Sequence, residues 1–268
     1  MNLTLATEAG PVARFDLGSD GVKTKAMDRI HDVALSPDGR FAFVAAGLHL
    51  RCLDLDKGWE MWRYRPENMY AFLQTSPRAV GVTKNLEVFV CNDNGSMNLF
   101  RFDGLRVARW RANDTPNMVS SLADGDLFVG SDGYGITVWD TQDRRRVFRM
   151  KSSVHVFGLK AFPRGQLVAV RSEVGVSVID LNNGEVRRTW PVAPGLPYID
   201  VSPDGSQILV GCGRGVAVYD TDGSLVREEG TDGERVITAV FHPKSGHVVA
   251  GTETGQVVHF PTVAATGH

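Results

Sequence analysis

The fold class this sequence predicts is all-β: a single β-propeller of four-stranded antiparallel blades spanning residues 1–268. Three observations predict it. A strand-rich unit of about forty residues recurs about six times. Each copy carries a turn of the same kind at the same place. No stretch repeats its apolar residues with the period of an amphipathic helix.

The clearest copies begin near Ile30 (IHDVALSPDGRFAFVAAG), Tyr198 (YIDVSPDGSQILVGCG) and Val236 (VITAVFHPKSGHVVAGTETG). Weaker ones begin near Tyr70, Asn117 and Val156. Each opens on a short apolar strand, such as Asp32 to Leu35 or Asp200 to Val201. A turn follows: Ser36-Pro37-Asp38-Gly39, Ser202-Pro203-Asp204-Gly205 or Phe162-Pro163-Arg164-Gly165. Proline presets φ there, and Asp and Gly close the turn. The second strand is Val-, Phe- and Ala-rich, as in Phe41 to Val44 and Leu167 to Val170. The third ends in aspartate at Asp54, Asp140, Asp180 and Asp220, and the fourth is more polar, as in Arg146 to Arg149. One such sheet cannot bury both faces alone, so the units must stack. Six innermost strands are countable. The N-terminal segment, about residues 3–26, aligns with strands two to four of the repeat and is expected to help close the ring. Seven blades are therefore expected, with six as the alternative.

Composition narrows the function classes. The formal net charge is −2, so no global field draws the chain to nucleic acid or anionic lipid. No apolar run approaches the roughly 20 residues that span a bilayer, so no membrane partner is expected. The start MNLTLATEAGPVARF lacks a basic stretch before an apolar core, and a cytoplasmic location is expected. Cys52, Cys91 and Cys212 lie in or beside apolar strands without paired spacing, as buried small hydrophobes do.

The repeat resembles the WD-repeat and quinoprotein-like propellers over nearly the whole chain. Trp139-Asp140 stands where WD repeats carry their namesake pair, with Tyr219-Asp220 and Ile179-Asp180 in equivalent places. The run from Asp54 to Trp62 is similar to the quinoprotein repeat, in which an Asp is followed by a Gly turn and a docking Trp. Asp180 to Trp190 echoes it. The resemblance implies that these tryptophans pack between blades.

No catalytic residues, metal ligands or cofactor are predicted. The seven histidines are scattered, and His242 sits in a turn where other copies have Ser. Asp220-Thr221-Asp222-Gly223 reads as a hairpin turn rather than a calcium loop. Arginines crowd three outer strands: Arg101, Arg106, Arg109 and Arg111; Arg144, Arg145, Arg146 and Arg149 with Lys151; and Arg187 and Arg188. Such charges protect sheet edges, and a nucleic-acid surface is the lesser reading. The expected partner is a protein, with an acidic segment suited to the arginines. It would dock on the face formed by the blade-linking loops and the turns between strands two and three. That candidate face is Arg63, Tyr64, Arg65, Tyr70, Asn92, Arg111, Tyr134, Arg171, Arg214 and Arg235. The preferred function is a non-catalytic interaction or scaffold module. The alternatives are a ligand-sensing propeller and a channel-mouth, metal-dependent hydrolase of the lactonase type, with Asp93, Asp132 and Glu173 as loop carboxylates.

Overall fold

A computed structural model describes residues 2–7, 10–16, 30–67, 75–83, 85–111, 116–122, 126–230, 234–242, 245–253 and 257–260. The chain forms two compact units, Met1–Ser121 with Gly125–Arg149, and Leu122–Asp124 with Met150–His268. The first unit begins with an antiparallel pair, β1 (Asn2–Thr7) and β2 (Gly10–Asp16). Three four-stranded sheets follow: β3 (Ile30–Leu35), β4 (Phe41–Ala46), β5 (His49–Asp54) and β6 (Trp59–Tyr64); β7 (Pro77–Val82), β8 (Val88–Asn92), β9 (Ser96–Phe100) and β10 (Arg106–Arg111); β11 (Met118–Ser121), β12 (Leu127–Ser131), β13 (Gly135–Asp140) and β14 (Arg145–Lys151). The second unit holds β15 (Val156–Ala161), β16 (Leu167–Ser172), β17 (Gly175–Asp180) and β18 (Val186–Trp190), then β19 (Ile199–Val201), β20 (Gln207–Cys212), β21 (Gly215–Asp220) and β22 (Leu225–Glu229). Its last sheet has β23 (Val236–Phe241), β24 (Val248–Thr252) and β25 (Val257–Phe260).

These sheets are the blades of an all-β propeller. Each is a meander in which consecutive strands pair antiparallel. Among the described residues there are six blades, not the seven favoured from the sequence. Among the described residues the N-terminal segment shows two strands, β1 and β2, paired with each other with Asn2 opposite Asp16.

Burial explains the strand patterns. The second and third strands of the first blade, FAFVAA and HLRCLD, are buried at every position, because both of their faces are covered. A strand buried on both faces loses its alternation. Outermost strands meet solvent: β6 alternates exposed and half-buried residues, whereas β18 exposes every residue from Val186 to Thr189. Between the first two blades lie Phe43, Leu50 and Cys52 against Val80, Val90 and Phe100. Between the second and third, Phe89 stacks on Phe128 at 4.5 Å. In the second unit Ala169, Val178 and Trp190 meet Ile208, Val210 and Ala217.

Two devices join neighbouring blades. The first is the predicted docking tryptophan. Asp54 Oδ1 accepts the N–H groups of Asp56 (3.1 Å) and Lys57 (3.0 Å), closing the turn before β6. Trp62 then reaches the next blade, where its Nε1 donates to the Phe102 carbonyl at 2.8 Å. Its ring lies against Gly104, where an added Cβ would come within 2.9 Å of Trp62 Cγ. Gly104 has φ of +87°, so glycine is required there for backbone and for space. The second unit repeats the joint: Trp190 lies against Gly223, which has φ of +89°.

The second device is an aspartate on the innermost strand. Asp32 Oδ2 accepts the Val80 N–H of the next blade at 2.9 Å. Asp200 Oδ2 accepts the buried Phe241 N–H at 2.8 Å, and its Oδ1 holds Lys160 Nζ at 2.9 Å. The turns conform to the sequence: Ser36 Oγ accepts the Phe41 N–H at 2.9 Å, and Ser202 Oγ accepts that of Gln207 at 2.9 Å.

Candidate protein-binding face

In a four-stranded antiparallel meander, the loop into the first strand, the turn between strands two and three and the exit from the fourth share one end of the sheet. The described candidate residues lie at or near that end of their blades, but not all reach solvent. In the first unit Arg63 is exposed and pairs with Glu60 at 2.5 Å. Tyr64 is half-buried, its ring 4.7 Å from that of Phe100 and covered by the Arg106 guanidinium. Arg65 and Arg111 are exposed. Tyr134 is 66% exposed at the tip of the β12–β13 turn, where Asp132 Oδ1 accepts its N–H at 2.8 Å. Tyr70 lies outside the described residues.

Asn92 is a correction. It is fully buried, and its Nδ2 donates to Ser96 O (3.2 Å) and Ser96 Oγ (3.0 Å). It shares its strand face with Val88 and Val90, which point into the neighbouring blade. Arg171 is the second correction. It is 5% exposed and donates to the Ala193 carbonyl at 3.0 Å beneath the β18–β19 loop. Burial lowers its pKa from the usual arginine value, with Tyr219 and Cys212 acting against that. In the second unit the exposed pair is Arg214 and Arg235. The Val236 N–H donates to the Arg214 carbonyl at 3.0 Å, which seats the two arginines side by side at one loop end.

Sequence reasoning missed Glu67. It leaves the β6 end and accepts from Arg106 (3.0 Å) and Arg109 (2.6 Å) on the next blade's outer strand. The hydrogen bond from Arg106, then the charges of Arg106 and Arg109, hold its carboxyl below the usual range. The available signal was one acid in Arg65-Pro66-Glu67 facing a crowd of arginines. Other arginines of these groups are also partnered: Arg101, in the β9–β10 turn, with Asp103, Arg145 with Asp143 at 3.1 Å and Arg187 with Asp180 at 2.5 Å. These pairs reduce the cationic surface open to a nucleic-acid backbone.

Two of the loop carboxylates are engaged by backbone N–H groups. Asp93 accepts the Ser76 N–H at 3.1 Å, and Asp132 caps Tyr134. His242 Nδ1 accepts from the Ser245 N–H (3.1 Å) and lies 2.8 Å from Ser245 Oγ, a turn role. Among the described residues no three His, Cys, Asp or Glu side chains gather as a metal cage requires, and none contains a helix long and apolar enough to cross a membrane.

All three cysteines are free and buried. Burial pushes the Cys52 and Cys212 thiols up to about 12 and raises Cys91 well above the ordinary thiol value. A thiol held neutral is a poor nucleophile. Native protein at pH 8 is therefore expected to react with a maleimide or disulfide reagent only at the rate of opening, and urea-unfolded protein immediately. Fast labelling of native protein would contradict this burial.

Over residues 49–266 the sequence matches the family model described as outer membrane protein assembly factor BamB. The chain belongs to this family. The match covers the two docking tryptophans, and it supports the quinoprotein-like side of the resemblance seen in the sequence. No curated protein matches the BamB-family chain. Among solved structures, "Kuenenia stuttgartiensis Hydrazine Synthase" superposes with a TM-score of 0.70 at 18% identity, covering 90% of this chain and 78% of that one. At that identity the likeness shows the fold alone.

Proposed function

We propose that this BamB-family propeller is a non-catalytic interaction module that holds an acidic segment of a protein partner on its loop face, without a cofactor. The observation that carries the reading is the exposed Arg214–Arg235 pair, fixed through its backbone. Arg65 and Arg111 are the corresponding exposed cations of the first unit. Rigid loop ends lose little entropy on binding. The family's description as an assembly factor supports a protein partner. The three unpaired, buried cysteines suit the cytoplasm, where thiols stay reduced.

Affinity purification from the native cell, with mass spectrometry, tests this. Wild type is expected to recover a partner with an acidic segment. R214E/R235E is expected to lose it by about tenfold or more, since like charges then face each other, while Tm stays unchanged. Full retention by both R214E/R235E and R65E/R111E would sink the proposed face. Stoichiometric calcium or zinc in purified protein would sink the non-catalytic reading.

A further inference from the structure

At the opposite end of the strands from that loop face, the second unit contains a notch of about 310 Å³, half open to solvent. It lies between the β15–β18 blade and the β19–β22 blade. Its floor is apolar: Phe162 and Val178, each 5% exposed, with Leu167 beside them. Its rim is cationic: Arg164 from the β15–β16 turn, with Arg187 and Arg188 from β18. One acid, Asp204, lines it as well, beside Gly205 and Thr221.

The hydrogen bonds separate these charges by how far each is already used. Asp204 Oδ1 accepts from Ser202 Oγ (2.6 Å), the Ser206 N–H (3.0 Å) and Ser206 Oγ (2.8 Å), so its carboxylate serves its own turn. Arg187 is neutralised by Asp180. Arg188 gives one N–H to the Asp222 carbonyl at 2.8 Å and keeps the rest of its fork. Arg164 is exposed and makes no hydrogen bond or ion pair among the described residues. Two guanidinium groups with donors to spare thus flank an apolar floor.

We infer that this notch binds the C-terminus of a polypeptide ending in an apolar residue. The last side chain lies on Phe162, Leu167 and Val178, and the terminal carboxylate meets Arg164 and Arg188. Arginine is suited to this because its planar fork matches a carboxylate with two parallel N–H bonds. The volume is at the lower end for ligand pockets, enough for one side chain and a carboxylate. The open side favours a chain end over a free small acid, since preceding residues of a peptide would cover the opening. The proposal does not rest on the loop face.

The test is fluorescence polarisation with dye-labelled hexapeptides, degenerate at the first five positions and ending in Leu. Saturable binding is expected with a free C-terminus. Amidation of that terminus is expected to weaken it about tenfold, as loss of a charge-assisted contact does. A terminal Asp should weaken it similarly. R164A and R188A should each weaken it several-fold, with unchanged Tm and circular dichroism showing that both variants fold. The arm for a free acid is 4-methylpentanoate, followed by NMR. Equal affinity for this acid and the peptides would overturn the polypeptide assignment. Equal binding of amidated and free peptides, or no saturable binding up to millimolar concentration, would overturn the site.

Discussion

Trp62→Ala is expected to destabilise the first unit by about 2–4 kcal/mol, somewhat less than removing a fully buried large aromatic, because the ring is half-buried. The ring fills the joint between two blades, with centroids 6.1 Å from Phe43 and 6.0 Å from Phe100. Its Nε1 is also the donor to the Phe102 carbonyl. One wall of the space is Gly104, which has no side chain to fill it. Trp62→Phe keeps much of the ring and loses the donor, so it should cost about 1–2 kcal/mol. Gly104→Ala adds an independent handle, since its cost combines a clash with Trp62 and the strain of positive φ. In the Trp62→Ala background the clash disappears and only the strain remains. The double variant is then expected to be more stable than the sum of the single losses predicts. Urea unfolding followed by circular dichroism gives all four values. A Trp62→Ala loss below about 1 kcal/mol would refute the joint.

Asp200→Ala is the second large effect, expected at about 3 kcal/mol from the loss of a charge-assisted bond and an orphaned buried donor. The buried Phe241 N–H would lose its acceptor, and Lys160 would lose its ion pair. Asp200→Asn keeps an oxygen for the N–H and gives up the charge, so about 1 kcal/mol is expected. Lys160→Met should cost less than about 1 kcal/mol, because the lysine side chain is 44% exposed and water screens the pair. Amide exchange at Phe241 is the direct measure: it should accelerate strongly in Asp200→Ala and little in Asp200→Asn. Equal exchange and equal stability in the two variants would show that the carboxylate does not fasten the blades.

Much of the architecture could be read from local chemistry. Ser36 and Ser202 act in the turns that Ser-Pro-Asp-Gly predicts. The Asp-to-Trp run around Trp62 places a docking residue where it packs. Local chemistry is enough there because each feature lies within a few residues of its cause. The errors have a different origin. Asn92 and Arg171 end their strands where solvent was expected. Counting alternation puts Asn92 in phase with Val88 and Val90, and Arg171 in phase with Ala169, all of which face a neighbouring blade. Residue type suggested a surface, while strand phase dictated an interior. Glu67 and Asp32 were missed because their partners, Arg109 and Val80, lie 42 and 48 residues further along the chain. Such reach is set by how blades abut, which no single repeat encodes. The leaning to seven blades came from N-terminal strands that resemble part of a repeat; among the described residues these strands form a two-stranded pair.

The tryptophan–glycine joint also bears on how such a chain grows. Each joint spans two consecutive units: the indole comes from one (Trp62, Trp190) and the glycine from the next (Gly104, Gly223). A duplication that copies two joined units together would therefore carry a matched connection with it. An insertion that began mid-unit would separate a tryptophan from its seat. Lineages that lengthen or shorten this array should do so in whole units.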